Sequence, residues 1–134
     1  MGRDKHVPPL TVDQHTMSTR NHYALVTGGA GLIGSHLTDL LVREGWQVRV
    51  LDNIEPNTHR RGRPSWINPK AEFVEGDIRD RATISSALNG IGVVFHQAAY
   101  GGYMPEIAKY VQVNSFGTAL MLEVIREQNL PVRK

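Results

Sequence analysis

The chain has 134 residues, 40% of them hydrophobic and 21% charged, a composition that suits a single globular domain with a real core. Its 15 Lys and Arg against 13 Asp and Glu leave a formal charge of +2, too small an excess to point to nucleic acid or a membrane surface. With no cysteine, disulfides, thiolate metal sites and cysteine nucleophiles are excluded, which fits a reducing, cytoplasmic setting; no apolar run is long enough to span a bilayer.

The opening stretch MGRDKHVPPLTVDQHTMSTR has no periodicity, two adjacent prolines and no apolar core of a secretory signal, so residues 1–21 are expected to be a disordered tail ahead of a domain over 22–134. Met17 stands just before the first strand-like run, and residues 1–16 are expected to be an extension from an upstream start codon.

Tyr23–Thr27 is a short apolar run ending in glycines, as in a buried parallel strand. From Leu32 the period changes: Ile33, Leu37, Leu40 and Leu41 recur at helical spacing, and Gly45 is placed to stop that helix. Val48–Leu51 is the second strand, closing on Asp52 and Asn53. The segment NIEPNTHRRGRPSWINPK, rich in Pro, Asn and Arg, reads as a loop with at most one short turn. Glu72–Val74 is the third strand; Asp80 can cap a helix with Ile84, Ala87 and Leu88 on its apolar face, ended by Gly90. Val93–His96 is the fourth strand, Pro105 starts another helical stretch, and Val113, Phe116, Leu120 and Val124 predict a long helix to about Gln128. This alternation implies an α/β fold, a Rossmann-type doubly wound parallel sheet with right-handed crossovers, truncated after about four strands.

Gly28, Gly31 and Gly34 stand at the turn from the first strand to the first helix, and Gly29, Gly31 and Gly34 also match the G-x-G-x-x-G form. Such a turn needs residues without a Cβ so that the backbone can bend, approach a pyrophosphate and pack helix on strand. The helix N-terminus then turns free N–H groups and a positive dipole end toward the phosphates. Asp52, 18 residues past Gly34, can accept hydrogen bonds from the adenosine ribose hydroxyls and would repel a 2′-phosphate, which favours NAD over NADP. Arg60 and Arg61 could pair with such a phosphate, but a solvated basic loop accounts for them as well.

With the glycine loop, Asp52, EGDIRD and FHQAA in order, Tyr23 to Lys134 resembles the extended short-chain dehydrogenase/reductase superfamily, and within it the NAD-dependent nucleotide-sugar epimerases and dehydratases. The resemblance implies that Leu32 and Ile33 offer backbone N–H groups to the pyrophosphate. It implies that Asp52 and Asn53 sit at the adenosine ribose, and that Asp77 and Ile78 border the adenine, with the aspartate bonded to its amino group. Gln97, Ala98 and Ala99 would line the cofactor at the fourth strand's end, and Asn114 would lie in the long helix near the nicotinamide in a supporting role. Read from the residues alone, Asp77 could equally be an Asx-type cap, Asn114 a helix-interior polar group bonded to nearby backbone, and His96 a packed histidine rather than a ligand. The histidines show no metal-ligand spacing, so no metal is expected. YGGYMPEIAKYVQVNSFGTALMLE resembles dTDP-rhamnose 4-epimerases, with UDP-glucose 4-epimerase-like or dehydratase specificity as the alternative.

In that family sugar oxidation resembles hydride transfer assisted by a tyrosine, with a lysine four residues on that lowers its pKa. Tyr23, Tyr100, Tyr103 and Tyr110 are followed four places on by Thr27, Met104, Ile107 and Asn114, so none fits and no catalytic residue is assigned. The chain alone is therefore expected to be inactive, its fourth strand an unpaired edge, its solubility poor and its NAD binding weak. The nucleotide-sugar substrate and a homodimer would belong to the complete enzyme, with no nucleic-acid or membrane partner. The alternative is a free-standing half-Rossmann module that senses NAD or docks a partner along its open edge.

Overall fold

The computed structural model describes residues 22–132; the expected tail over 1–21 and the start-codon reading at Met17 lie outside them. Four strands, β1 (Tyr23–Thr27), β2 (Gln47–Asp52), β3 (Glu72–Glu75) and β4 (Val93–His96), form one parallel sheet in the order β3-β2-β1-β4. Helix α1 (Leu32–Arg43) joins β1 to β2 and α2 (Arg81–Leu88) joins β3 to β4. After β4 come α3 (Ile107–Val111), a π-helical turn over Gln112–Gly117, and α4 (Thr118–Glu127).

Strand alternation sorts the two faces. Ala24, Val26, Val48 and Val50 pack with Leu41 on the α1 side. Leu25 and Leu51 point the other way, into a larger cluster with Ile84 and Leu88 of α2 and Leu120, Met121 and Val124 of α4. The central strands are thus covered on both faces, which is why they read as nearly continuous apolar runs. Leu25, Leu51, Ile84 and Leu88 are at most 1% exposed, and truncating any of them to alanine is expected to cost about 2–5 kcal/mol.

Local chemistry sets the element ends. Gly45 takes a left-handed φ of +86°, its N–H bonding Val42 O while Trp46 N–H bonds Leu41 O, a Schellman stop. Asp80 caps α2 through Oδ2, which accepts the Thr83 N–H at 2.8 Å. Arg49, largely buried, reaches from β2 to the C-terminal carbonyls of α2, donating to Ala87 O and Asn89 O.

Three expectations need correction. The helix announced by Pro105 begins only at Ile107, and the long helix to Gln128 is not uniform: the π-helical turn splits it. The turn places Gly117 where a Cβ would lie 2.7 Å from Ile78 Cδ1, and Asn114 where its side chain meets the backbone of Tyr100. These tertiary demands favour the extra residue per turn. The irregular loop over 53–71 carries several turns and packs firmly: Ile54 and Ile67 are buried against Ala30, and Trp66 Nε1 donates to Ala30 O at 3.1 Å.

Candidate functional site

At the C-terminal ends of the parallel strands, where β1 and β4 part toward different helices, the chain leaves an open cleft. Gly28, Gly31, Asp52, Asn53, Asp77, Ile78, Gln97, Ala98 and Ala99, all marked in the sequence, line it. Leu32, Ile33 and Gly34 do not line it; they form the first turn of α1, and the Leu32 and Ile33 side chains stand in solvent.

The glycine turn is shaped by close contact. Gly28 has φ +68°, and a Cβ there would lie 2.6 Å from Ala98 N. At Gly34 a Cβ would meet Gly28 O at 2.3 Å. Gly31, the α1 N-cap, has no side chain to cap the helix, so the N–H groups of its first turn have no intrahelical partner and no side-chain acceptor from the cap. That leaves an anion-binding end.

Asp52, 9% exposed at the end of β2, holds this turn from below. Its Oδ2 accepts the Ala30 N–H at 3.0 Å and its Oδ1 the Ile54 N–H at 2.9 Å. Ile54 is thereby kept at φ +50°, a left-handed backbone that a β-branched residue rarely adopts. Each carboxylate oxygen retains a lone pair, so Asp52 can still accept hydroxyl groups from the cleft.

Asp77 is more heavily engaged. Arg79 donates to Oδ1 from its backbone N–H (2.8 Å) and Nε (2.9 Å), and to Oδ2 from Nη2 (2.6 Å). The Arg79 side chain holds the carboxyl below its ordinary range, with Asn53 adding to the effect. The Asx-type geometry and the place in the cleft wall thus coexist at one residue. Asn114 clamps the opposite wall: its Oδ1 accepts the Tyr100 N–H at 2.8 Å and its Nδ2 donates to Tyr100 O at 2.9 Å. This is the bond to nearby backbone that its helical position allowed, and it leaves little of the amide for a ligand.

Glu55, Thr58, His59, Gly76, Tyr100 and Val113 also line the cleft, though the sequence pattern does not mark them. Only Gly76, between the two acids of EGD, carried a local signal. Glu55 and Lys109 form an ion pair at 2.7 Å between the loop after β2 and α3, both side chains about 15% exposed. The Glu55 carboxylate, then Glu106, hold the Lys109 ammonium above its ordinary pKa. Among the described residues no group of His, Asp and Glu could hold a metal ion, and no helix is long and apolar enough to cross a membrane.

The model of the NAD dependent epimerase/dehydratase family matches residues 24–133. The chain belongs to this family. Within it, 112 residues are 39% identical to the UDP-glucose 4-epimerase of Lactobacillus helveticus, covering 79% of this chain and 32% of that one. The dTDP-L-rhamnose 4-epimerase of Burkholderia thailandensis is 31% identical over 114 residues, covering 81% and 31%. The Thermus thermophilus UDP-glucose 4-epimerase, solved in complex with NAD, superimposes with a TM-score of 0.68 at 31% identity, over 81% of this chain and 35% of that one. The chain thus spans about a third of the length of the curated epimerases it matches. Its four parallel strands are the Rossmann-type arrangement expected of the family's nucleotide-binding domain.

Proposed function

We propose that this chain is the NAD-binding portion of a nucleotide-sugar epimerase or dehydratase that works by transient hydride transfer at the sugar C4. The observation that carries this reading is the cradle at the cleft. Two glycines leave no room for a Cβ, an uncapped helix N-terminus offers N–H groups, and Asp52 keeps acceptor capacity at the end of β2. A dinucleotide fits that donor set: phosphates at the first turn of α1 with Leu32 and Ile33, ribose hydroxyls at Asp52 and Asn53, adenine beside Asp77 and Ile78.

Bound there, NAD supplies a hydride acceptor. This chain's own residues bind and orient it: Gly28 lets Ala98 close on the turn, and Gln97, Ala98 and Ala99 wall the far end. Asp52 selects against a 2′-phosphate by charge. No tyrosine of the chain has a lysine four residues on, so the proton transfer that family resemblance implies has no candidate here. The nucleotide sugar and a homodimer belong to the complete enzyme in this reading, and the lack of cysteine supports a cytoplasmic setting. The substrate in this reading is a nucleotide sugar of the kind the two relatives above are named for.

A second reading, a free-standing NAD-binding module that docks a partner, draws on β4. It pairs only with β1 among the described strands, and Val93, Val94 and Phe95 are half-buried at that edge. Calorimetric titration with NAD, NADP and ADP-ribose tests the cofactor assignment. NAD and ADP-ribose are expected to bind alike, NADP at least about tenfold more weakly given the like charge at Asp52. Failure of all three to bind, or a preference for NADP, rejects it.

A further inference from the structure

Behind the cleft wall runs a chain of polar groups that no nucleotide contact above uses. Thr27 ends β1 fully buried, His96 ends β4 beside it, and Thr118 begins α4. Thr27 Oγ1 receives the N–H groups of Gln97 at 3.1 Å and Ala98 at 3.2 Å, and lies 2.6 Å from His96 Nδ1. On the far side of the ring, Nε2 lies 2.9 Å from Thr118 Oγ1, whose hydroxyl donates to Asn114 O at 2.9 Å.

Hydrogen counting gives this chain one direction. A hydroxyl has one hydrogen and two lone pairs. Both lone pairs of Thr27 Oγ1 face amide donors, so its hydrogen points at Nδ1, which must be the bare nitrogen. Nε2 then carries the imidazole hydrogen and donates to Thr118, whose own hydrogen is directed to the Asn114 carbonyl. The other tautomer would aim an N–H at an oxygen whose lone pairs already face the Gln97 and Ala98 amides, and imidazolium would do the same. The ring meets Thr27 on β1 and Thr118 on α4, with no carboxylate or ammonium bonded to it among the described residues. Burial alone pushes its pKa down, consistent with a neutral ring.

We propose that His96 is a positioning residue of the cleft: as the neutral Nε2–H tautomer it orients Thr27 Oγ1 to pin the Gln97 and Ala98 amides, and it ties that wall to α4 through Thr118. Gln97 N–H has a second acceptor in Thr27 O at 3.1 Å, so Ala98 depends most on the hydroxyl. The tautomer and the pinned amide are properties of the chain by itself; only the effect on ligand rests on the dinucleotide reading above.

The test has two parts on the full chain. A two-bond 1H–15N spectrum at pH 7.5, with the His96 signals identified by their loss in His96→Gln, is expected to show a pyrrole-type Nε2 and a pyridine-type Nδ1. Amide exchange is then compared in Thr118→Val, which keeps the branched shape without the hydroxyl, and Thr118→Ser, which restores the hydroxyl. Loss of one oriented hydrogen bond is expected to speed Ala98 exchange about tenfold in Thr118→Val, with Thr118→Ser within about twofold of the parent. An Nδ1–H tautomer, or unchanged Ala98 exchange in Thr118→Val, overturns the proposal. The expected tautomer and exchange pattern in a chain that binds no NAD uphold it and reject the dinucleotide reading instead.

Discussion

Alanine substitutions at Gly28, Gly31 and Gly34 should separate three physical demands that one glycine motif conceals. At Gly34 the new Cβ would lie 2.3 Å from Gly28 O and 2.8 Å from Gly29 Cα, so backbone must move. Overpacking of that kind costs about 1–3 kcal/mol. Because the obstacle is backbone at the closest approach of the set, the upper end of that range applies; alanine's better helix propensity returns about 0.5–1 kcal/mol, for a net loss of about 2 kcal/mol. Gly28 meets Ala98 N at 2.6 Å and also holds φ +68°, which adds about 1–2 kcal/mol and brings the loss to about 3–4 kcal/mol. Gly31 has an ordinary φ of −75° and only a tight 3.3 Å approach to Gly28 O, so alanine there should cost less than about 1 kcal/mol. Gly45 is the control for backbone conformation alone: φ +86° with nothing within 4 Å, hence about 1 kcal/mol. Urea melts with a common m-value give the four numbers directly. A Gly34→Ala protein within about 0.5 kcal/mol of the parent, or one more stable than Gly31→Ala, would refute the close approach of helix and turn.

Asp52→Asn leaves one amide oxygen for two backbone donors, so either Ala30 or Ile54 loses its acceptor; a loss of about 1–3 kcal/mol in chemical denaturation is expected, together with weaker NAD binding by calorimetry. His96 has a folded pKa below its ordinary 6.5, so the unfolded chain takes up its proton first; stability is full above about pH 6.5 and falls as pH drops toward the folded value. Denaturation at pH 7.5 and 5.5 should show this slope, and His96→Gln should flatten it. Lys109→Met removes the cation between Glu55 and Glu106 and should lower Tm, by less in high salt because the two remaining carboxylates are then screened. An equal drop at both ionic strengths would mean that packing, not charge, is what Lys109 contributes.

What could be read from the chain follows from how local each signal is. β1 and the core of β2 are buried on both faces, so their apolar runs announce them, and Gly45 and Asp80 mark ends by interactions within a few residues. Nine of the marked nucleotide residues lie around one cleft because strand ends in a parallel sheet converge there whatever the loops do. The π-helical turn was not legible: Val113, Leu120 and Val124 keep a helical spacing, while the cause lies in Tyr100 and Ile78, on other elements. The same holds for the basic loop. Its Pro and Arg content announces irregular backbone, but nothing local shows that Trp66 bonds Ala30 or that Glu55 reaches Lys109.

Hydrogen-bond capacity separates the two acids of the cleft. Asp52 accepts one backbone N–H on each oxygen and keeps a lone pair on each. Asp77 already takes three bonds from Arg79, two of them on Oδ1, so only Oδ2 keeps a lone pair, and that oxygen is already held by the guanidinium. A base amino group at Asp77 would have to displace the Arg79 guanidinium or share its oxygen, whereas a ribose hydroxyl at Asp52 displaces nothing. Asp77→Ala should therefore cost NAD affinity only a few-fold, about 1 kcal/mol or less, while Asp52→Ala should cost tenfold or more, at least about 1.4 kcal/mol. Equal losses at the two aspartates would mean that Arg79 swings away when nucleotide enters, and that the Asx-type geometry belongs to the empty cleft alone.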